Sequence, residues 1–579
     1  VNDLIIVANR APFSFSKNFL NNVEKDLREH RRPQVPHFAE GGLVKAMASL
    51  MRPGKWNTTW IGASMGDVDI DVARGHCTAL FKKMIQSKYA PNRFPVIELD
   101  ADDRMHFQFK EYDFYMRFVL FDSRHMDSYY SRFANGFLWP LRHLTRSPVF
   151  YKKGGVFPRP CFEKNDFVQY TSSGVTFANT IIDEINKHSR SHENGEDVVI
   201  WNQDFHLMQI SEVIKALLLE ESYSYKQRKR IHVGQFVHTP FFNIHEIQGL
   251  IREDKRKRMQ AEFFDPFSES IESVLQRLTW GMLSNDFIGF HTKEYCDHFL
   301  EAIEEWFPIR IKVNGTFYEI IHQNSVTTVA PLPIGLDVDT ILSETSIGKE
   351  LKHRLGRESL YKRIMEEKRQ KKCIFGGLER RDYTKGLIER LRIFHQTFDQ
   401  LKSVNQEAVF YQVTAPSRVS NPDYQRLNAV LEEETERLNR ILPTKTIAHI
   451  DRGIEPPQNY RFMKEIDVML VTPLDDGMNL VAFEFILSQK HKNPNDRGIL
   501  VLSTSGASRV LKREGFGEED GIVYINPMKS KEAAGRIFRA LQEKKRLSEK
   551  VIDYVEKERR VDDWADKNIE AILKSRNIL

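Results

Sequence analysis

Along most of the chain a short β-branched apolar run gives way to a polar or glycine-containing loop and then to a longer amphipathic stretch. Such runs occupy residues 4–8, 198–201, 231–237, 373–377, 408–413, 467–472 and 498–503. Strands alternating with helical patterns predict an α/β fold with parallel sheets covered by helices on both faces. Between residues 325 and 339 the charged pattern lapses into Val326-Thr-Thr-Val-Ala-Pro-Leu-Pro-Ile-Gly-Leu336. Two prolines and a glycine in an uncharged stretch mark a domain boundary. The expectation is two doubly wound domains, 1–335 and 336–555, with a helical segment 556–579 packing back on the first. Two connections, 13–38 and 147–166, lack clear periodicity, and loops of that length in compact domains are usually lids or flexible.

Composition narrows the class of partner. The chain has 579 residues, 41% hydrophobic and 28% charged, an ordinary globular mix able to bury large cores. Its formal charge is +5, and the basic runs at 226–230 and 252–258 are short and mixed with other residues, so they read as solvated helix faces. Neither nucleic acid nor a membrane surface is expected as a partner. Cysteines at 77, 161, 296 and 373 are too dispersed for a disulfide framework or a zinc site. With no apolar run near the ~18 residues of a membrane span and no signal-like N-terminus, the expected compartment is the cytoplasm. No GxGxxG fingerprint and no Walker loop is present.

Because open α/β sheets bind ligands beyond the carboxyl ends of their strands, the residues after each apolar run carry the candidate chemistry. Asn9-Arg10 follows the first run, and Glu40-Gly41-Gly42-Leu43 opens a helical stretch. The glycine pair fits either a plain turn or a close backbone approach to phosphate. Asp204, in Gln203-Asp204-Phe205-His206-Leu207, fits a helix N-cap as well as a ligand for sugar hydroxyls. His238, in Phe236-Val237-His238-Thr239-Pro240-Phe241, fits a structural histidine or one at a reacting centre. Glu379-Arg380-Arg381-Asp382-Tyr383-Thr384-Lys385-Gly386 joins a strand to a helix, so Arg380 and Lys385 fit either a solvated loop or two cations converging on a diphosphate. Finally, Pro473-Leu474-Asp475-Asp476-Gly477-Met478-Asn479-Leu480-Val481 offers backbone amides at a helix start, and Glu484 follows at a distance suited to ribose hydroxyls.

Two other motifs are set aside. Asp67-Val-Asp69-Ile-Asp71 has the paired aspartates of some phosphatases, but a glycine and no apolar run precedes it. Asn314-Gly-Thr316 fits a glycosylation acceptor, which requires secretion.

Taken in order, these blocks resemble the trehalose-6-phosphate synthase family. The likeness also includes Tyr129-Tyr130, Phe137-Leu138-Trp139-Pro140, Pro333-Ile334-Gly335 and Ala415-Pro416-Ser417-Arg418, and it spans nearly the whole chain. The resemblance implies a GT-B fold, two Rossmann-like domains facing across a cleft, and a retaining glycosyltransferase moving glucose from UDP-glucose to glucose-6-phosphate. It implies that Gly42, Arg380 and Lys385 hold the donor diphosphate, Glu484 the ribose, and Asp476, Gly477, Met478, Asn479, Leu480 and Val481 the rest of the donor. Arg10, Tyr130, Trp139 and Arg418 would hold the acceptor, with Asp204 and His238 at the reacting sugar. Asp204, His238, Arg380 and Lys385 are then the catalytic set. The partners implied are a nucleotide sugar and a sugar phosphate. No cofactor and no metal is expected, and a homo-oligomer is compatible.

The chain departs from the family pattern at Gln203 for His, Asp475 for Arg, Phe483 for Lys and Ala63 for Trp. Ala63 and Gln203 fall on the acceptor side. They motivate a rival reading, a sister transferase with another acceptor such as glycerol-3-phosphate, or pseudo-sugar coupling. A rival of another class is a non-catalytic sugar-phosphate sensor, against which the retained Arg380, Lys385, Asp476 and Glu484 argue.

Overall fold

The computed structural model describes residues 2–12, 17–29, 46–54, 56–65, 67–74, 96–99, 104–109, 112–144, 160–188, 196–221, 223, 225–228, 230–259, 269–322, 325–418, 421–443, 446–454 and 457–575. Contacts divide the chain into two compact units. One comprises Val1–Trp139, Pro160–Leu332 and Ala565–Leu579, and the other Pro140–Arg159 and Pro333–Trp564. Of the two aperiodic connections, residues 17–28 form a helix, Lys17–Arg28, while 13–16, 30–38 and 147–159 lie outside the described residues.

The N-terminal unit is built on strands β1 (Asp3–Arg10), β2 (Asn57–Ala63), β3 (Val96–Leu99), β4 (Met105–Phe109), β5 (Tyr112–Val119), β6 (Val198–Gln203), β7 (Ile231–Val237), β8 (Phe287–Phe290), β9 (Arg310–Asn314), β10 (Phe317–His322) and β11 (Ser325–Pro331). Their order is β3-β4-β5-β2-β1-β6-β7-β8-β11-β10-β9. The middle seven strands pair in parallel, and the central ones are nearly continuous buried runs: Leu4, Ile6, Val7 and the stretch Val198–Trp201 are fully buried. Both margins are antiparallel, which the alternating pattern did not predict. Short connections explain this, since links of two to five residues can close a hairpin but not a parallel crossover. One such turn is Gly315-Thr316, where Gly315 adopts a φ of 66°, so Asn314-Gly-Thr316 is a hairpin turn. The uncharged stretch also divides, its first half being β11 and the change of unit falling after Leu332. Ile572 of the last helix, Val561–Lys574, packs where Gly234 of β7 has no side chain.

The second unit holds a two-residue pair, β12 (Arg354–Leu355) with β13 (Glu358–Ser359), and a parallel sheet of β14 (Cys373–Arg380), β15 (Ala408–Ala415), β16 (Ile447–Ile450), β17 (Val468–Val471), β18 (Ile499–Leu502) and β19 (Ile522–Tyr524). The sheet order β16-β15-β14-β17-β18-β19 is doubly wound, with the direction of winding reversing between β14 and β17. Residues 468–471 and 499–502 have no solvent exposure, as expected of parallel strands covered on both faces.

Candidate active site

The parallel part of each large sheet reverses its winding at one place, and several candidate residues lie at the carboxyl ends of the strands that flank it. In a doubly wound sheet the loops part at this switch point and leave a crevice, which is why ligands bind there. In the N-terminal unit the reversal lies between β1 and β6. Ile6 pairs with Trp201 and Val7 with Asn202, so Asn9-Arg10 and Gln203-Asp204 emerge at the same level, and the pairing of Gln203 with Phe236 brings His238 alongside.

Asp204 is not a helix cap. It takes a left-handed φ of 68°, unusual for a non-glycine residue, and its Oδ1 accepts the backbone N–H of His238 at 3.2 Å. The next helix, Ile210–Glu220, begins six residues later. His238 Nε2 meets Gln203 Oε1 at 2.9 Å, and burial draws its imidazole down to about 3, so the ring is neutral around pH 7. Arg10 is exposed and donates to the Tyr130 hydroxyl at 3.0 Å. Tyr129, its neighbour, donates to Asn9 Oδ1 at 2.7 Å.

Tyr130 and Trp139 reach this cluster because the segment Asp127–Leu138 is a π-helix. Residues nine apart lie on opposite faces of an α-helix, whereas the wider i→i+5 turn returns them to nearly the same face. Tyr130 stacks on His206 and Trp139 lies against Phe205, two adjacent rings of the loop after β6. Asn135, buried, donates its side-chain amide to the Tyr130 carbonyl at 2.8 Å, a second tie across the same turn.

In the second unit the reversal falls between β14 and β17, the strands that precede the two charged loops. Arg380, exposed, is the last residue of β14; Glu379 before it points inward and is buried. Lys385, only 8% exposed, forms an ion pair with Asp476 and lies 3.7 Å from Glu379. Burial pulls its ammonium down, but Asp476 and Glu379 outweigh burial and hold it above its ordinary value, so it stays charged. Glu379 also accepts from Asn479 Nδ2 at 2.9 Å and faces Arg390 at 3.6 Å. Asn479 has a left-handed φ of 56° and stands at the start of the helix Leu480–Ser488. Backbone closure is equally tight: Leu474 N–H donates to the Thr384 carbonyl at 2.7 Å, and a methyl group on Gly386, whose φ is 59°, would overlap the Thr472 carbonyl.

Arg418 lies in this unit too, bonded to Tyr424 and 3.2 Å from Asp382. Burial would raise the Asp382 carboxyl, but Arg418 and Arg380 hold it below its usual value. Glu484 is partly buried near Tyr460, whose phenol is pushed well up by burial first and then by the carboxylates of Glu484 and Asp337. Gly42 lies outside the described residues. Asp69 is structural: its carboxylate accepts the Met65 N–H at 2.8 Å on the helix Asp67–Ala73, and β2 precedes it after all.

Sequence reasoning assigned no role to Glu379 or Arg390. Arg390 is wholly buried and drawn down to about 10 by burial, and it donates to Thr472 Oγ1 at 3.0 Å. A charged residue on the apolar face of 387, 391 and 394 was the available signal. Among the described residues no three His, Cys, Asp or Glu side chains converge as a metal site, and no helix is long and apolar enough to cross a membrane.

Comparison with known proteins bears on both units. An α,α-trehalose-phosphate synthase (UDP-forming) 56 kDa subunit of Saccharomyces cerevisiae is 27% identical over 569 residues, covering 96% of this chain and 91% of its own. A solved α,α-trehalose-phosphate synthase (UDP-forming) from Burkholderia xenovorans, in complex with glucose-6-phosphate, matches with a TM-score of 0.66 at 21% identity, over 98% of this chain and 99% of that one. An E. coli trehalose-6-phosphate protein bound with UDP-2-fluoro glucose matches with a TM-score of 0.66 at 18% identity, over 99% of both chains. At these identities the solved structures establish the fold, which is GT-B. The family model for glycosyltransferase family 20 matches residues 2–249 and 267–574, nearly the full length and both switch-point clusters, and the chain belongs to that family.

Proposed function

We propose that the protein transfers glucose from UDP-glucose to glucose-6-phosphate with retention of configuration, yielding trehalose-6-phosphate and UDP. The observation that carries this reading is the buried Lys385, kept cationic by Asp476 and Glu379 at the sheet's switch point, with Arg380 at the end of the adjoining strand. As the bond from the anomeric carbon to the diphosphate breaks, negative charge grows on the leaving phosphate, and preorganised cations there lower the barrier more than they bind the ground state. The new bond forms from the acceptor hydroxyl on the same face of the sugar, and the hydroxyl proton passes to the departing phosphate oxygen. This route needs no carboxylate nucleophile of the kind used by retaining glycosidases.

Glu484 is assigned to the ribose, and residues 476–481 to the donor sugar and its phosphates. Arg10, Tyr130, Trp139 and Arg418 are assigned to the acceptor, and Asp204 and neutral His238 to the reacting sugar. The reading needs no metal, since Arg380 and Lys385 supply the charge. Cys161, Cys296 and Cys373 are free thiols, which fits a reducing cytoplasm as the compartment.

The deciding experiment is UDP release from UDP-glucose with and without glucose-6-phosphate. Release that depends on glucose-6-phosphate is expected. Release with glycerol-3-phosphate instead would favour a different acceptor, the reading motivated by Ala63 and Gln203. Tight ligand binding with no release under any acceptor would favour a sensor.

A further inference from the structure

Residues 475 and 476 put two buried carboxylates side by side in the chain. Adjacent buried like charges resist ionisation unless each has its own cation. Asp476 has Lys385. Asp475 has Arg509, whose guanidinium stands 3.6 Å from its Oδ1 on the helix Gly506–Arg513. These two side chains are 5% and 13% exposed, so the pair is not a solvated surface bridge. Asp475 Oδ1 is shared, for it also accepts the backbone N–H of Asp476 at 3.0 Å.

The same helix grips the same loop through its backbone. Gly506 N–H donates to the Asp476 carbonyl at 3.0 Å, and Ala507 N–H to the Met478 carbonyl at 2.9 Å. Ser505 and Ser508 form a capping box that fixes where the helix starts, and a methyl group on Gly506 would overlap the Gly477 carbonyl. Residues 475–478 are therefore laid down on a template, and Arg509 adds a charged contact to its backbone grip on them.

We propose that Arg509 is a positioning residue for the donor loop. Through Asp475 it fixes the orientation of Asp476, and by cancelling the charge of Asp475 it leaves the positive charge of Lys385 available to the diphosphate of a nucleotide sugar. The proposal rests on the donor-site reading above.

The test compares Arg509→Met, Arg509→Lys and the double variant Asp475→Asn/Arg509→Met, with UDP-glucose and glucose-6-phosphate varied separately and UDP binding measured by calorimetry. Arg509→Met is expected to lower kcat/KM for the donor about tenfold or more and to weaken UDP binding, with the acceptor KM unchanged. Arg509→Lys keeps the ion pair and recovers most of the loss. The double variant leaves no lone buried charge, so its melting temperature returns toward that of the unaltered protein, and its donor KM recovers only in part: the charge of Asp475 is gone, but the tether that orients Asp476 is lost. Unaltered donor kinetics in Arg509→Met or in the double variant would overturn the proposal. So would a loss toward both substrates that follows the folded fraction. Should the unaltered protein release no UDP with any acceptor, the functional reading fails instead, and the UDP titrations still decide the role of Arg509.

Discussion

Lys385 shows how one side chain can be both buried and charged. Burial alone would favour the neutral amine, and only two carboxylates within ion-pair reach reverse that preference. Replacing Lys385 or Arg380 by Ala should lower kcat/KM by about 10² or more, the scale of losing one donor to a developing oxyanion. Near-normal turnover in both variants would remove them from the mechanism. His238 shows the opposite imbalance, because burial depresses it from 6.5 to about 3. The unfolded chain therefore binds a proton that the folded chain refuses. The contribution of His238 to stability is full above the unfolded value of 6.5 and is lost as pH falls toward 3. Melting temperature should drop between about pH 7 and pH 5, and less steeply in His238→Asn. An identical slope in the two proteins would mean that another group is responsible.

At the level of elements, the loops after β14 and β17 are a matched pair. Thr384 and Leu474 are bonded backbone to backbone, Thr472 donates to the Gly386 carbonyl at 3.3 Å, and Arg390 reaches from the helix Leu387–Ser403 to Thr472. Gly386 is the point that tolerates no side chain, for both its left-handed φ and the nearby Thr472 carbonyl exclude one. Gly386→Ala should cost about 2 kcal/mol or more of stability and shift the melting temperature by several degrees. UDP affinity should fall with it, since the loops move apart; calorimetry on the folded fraction checks this. The π-helix Asp127–Leu138 makes the same point in the other unit. Its widened turn, held by Asn135, turns two distant aromatic residues toward one loop.

At the scale of the whole molecule, each unit has its own switch point, and Arg418 tests how the work is divided. It belongs to the second unit and braces Asp382, three residues from Lys385, although it is assigned to the acceptor. Arg418→Ala should weaken binding of glucose-6-phosphate and leave UDP affinity unchanged, whereas equal weakening of both would make it a prop of the diphosphate loop. The apolar runs and the charged loops that follow them could be read from neighbouring residues, because burial on both faces of a strand writes itself into consecutive positions. Strand 231–237 matched to the residue, and strands 4–8 and 373–377 proved longer, each running on to the arginine that ends it. Local pattern could not say which loop would meet which. The sheet order that brings Lys385 to Asp476, 91 residues away, and the helix that carries Arg509 to Asp475 were decided by tertiary structure alone. The reason is physical: periodicity reports how a segment is buried, while an ion pair depends on which segments are neighbours in space.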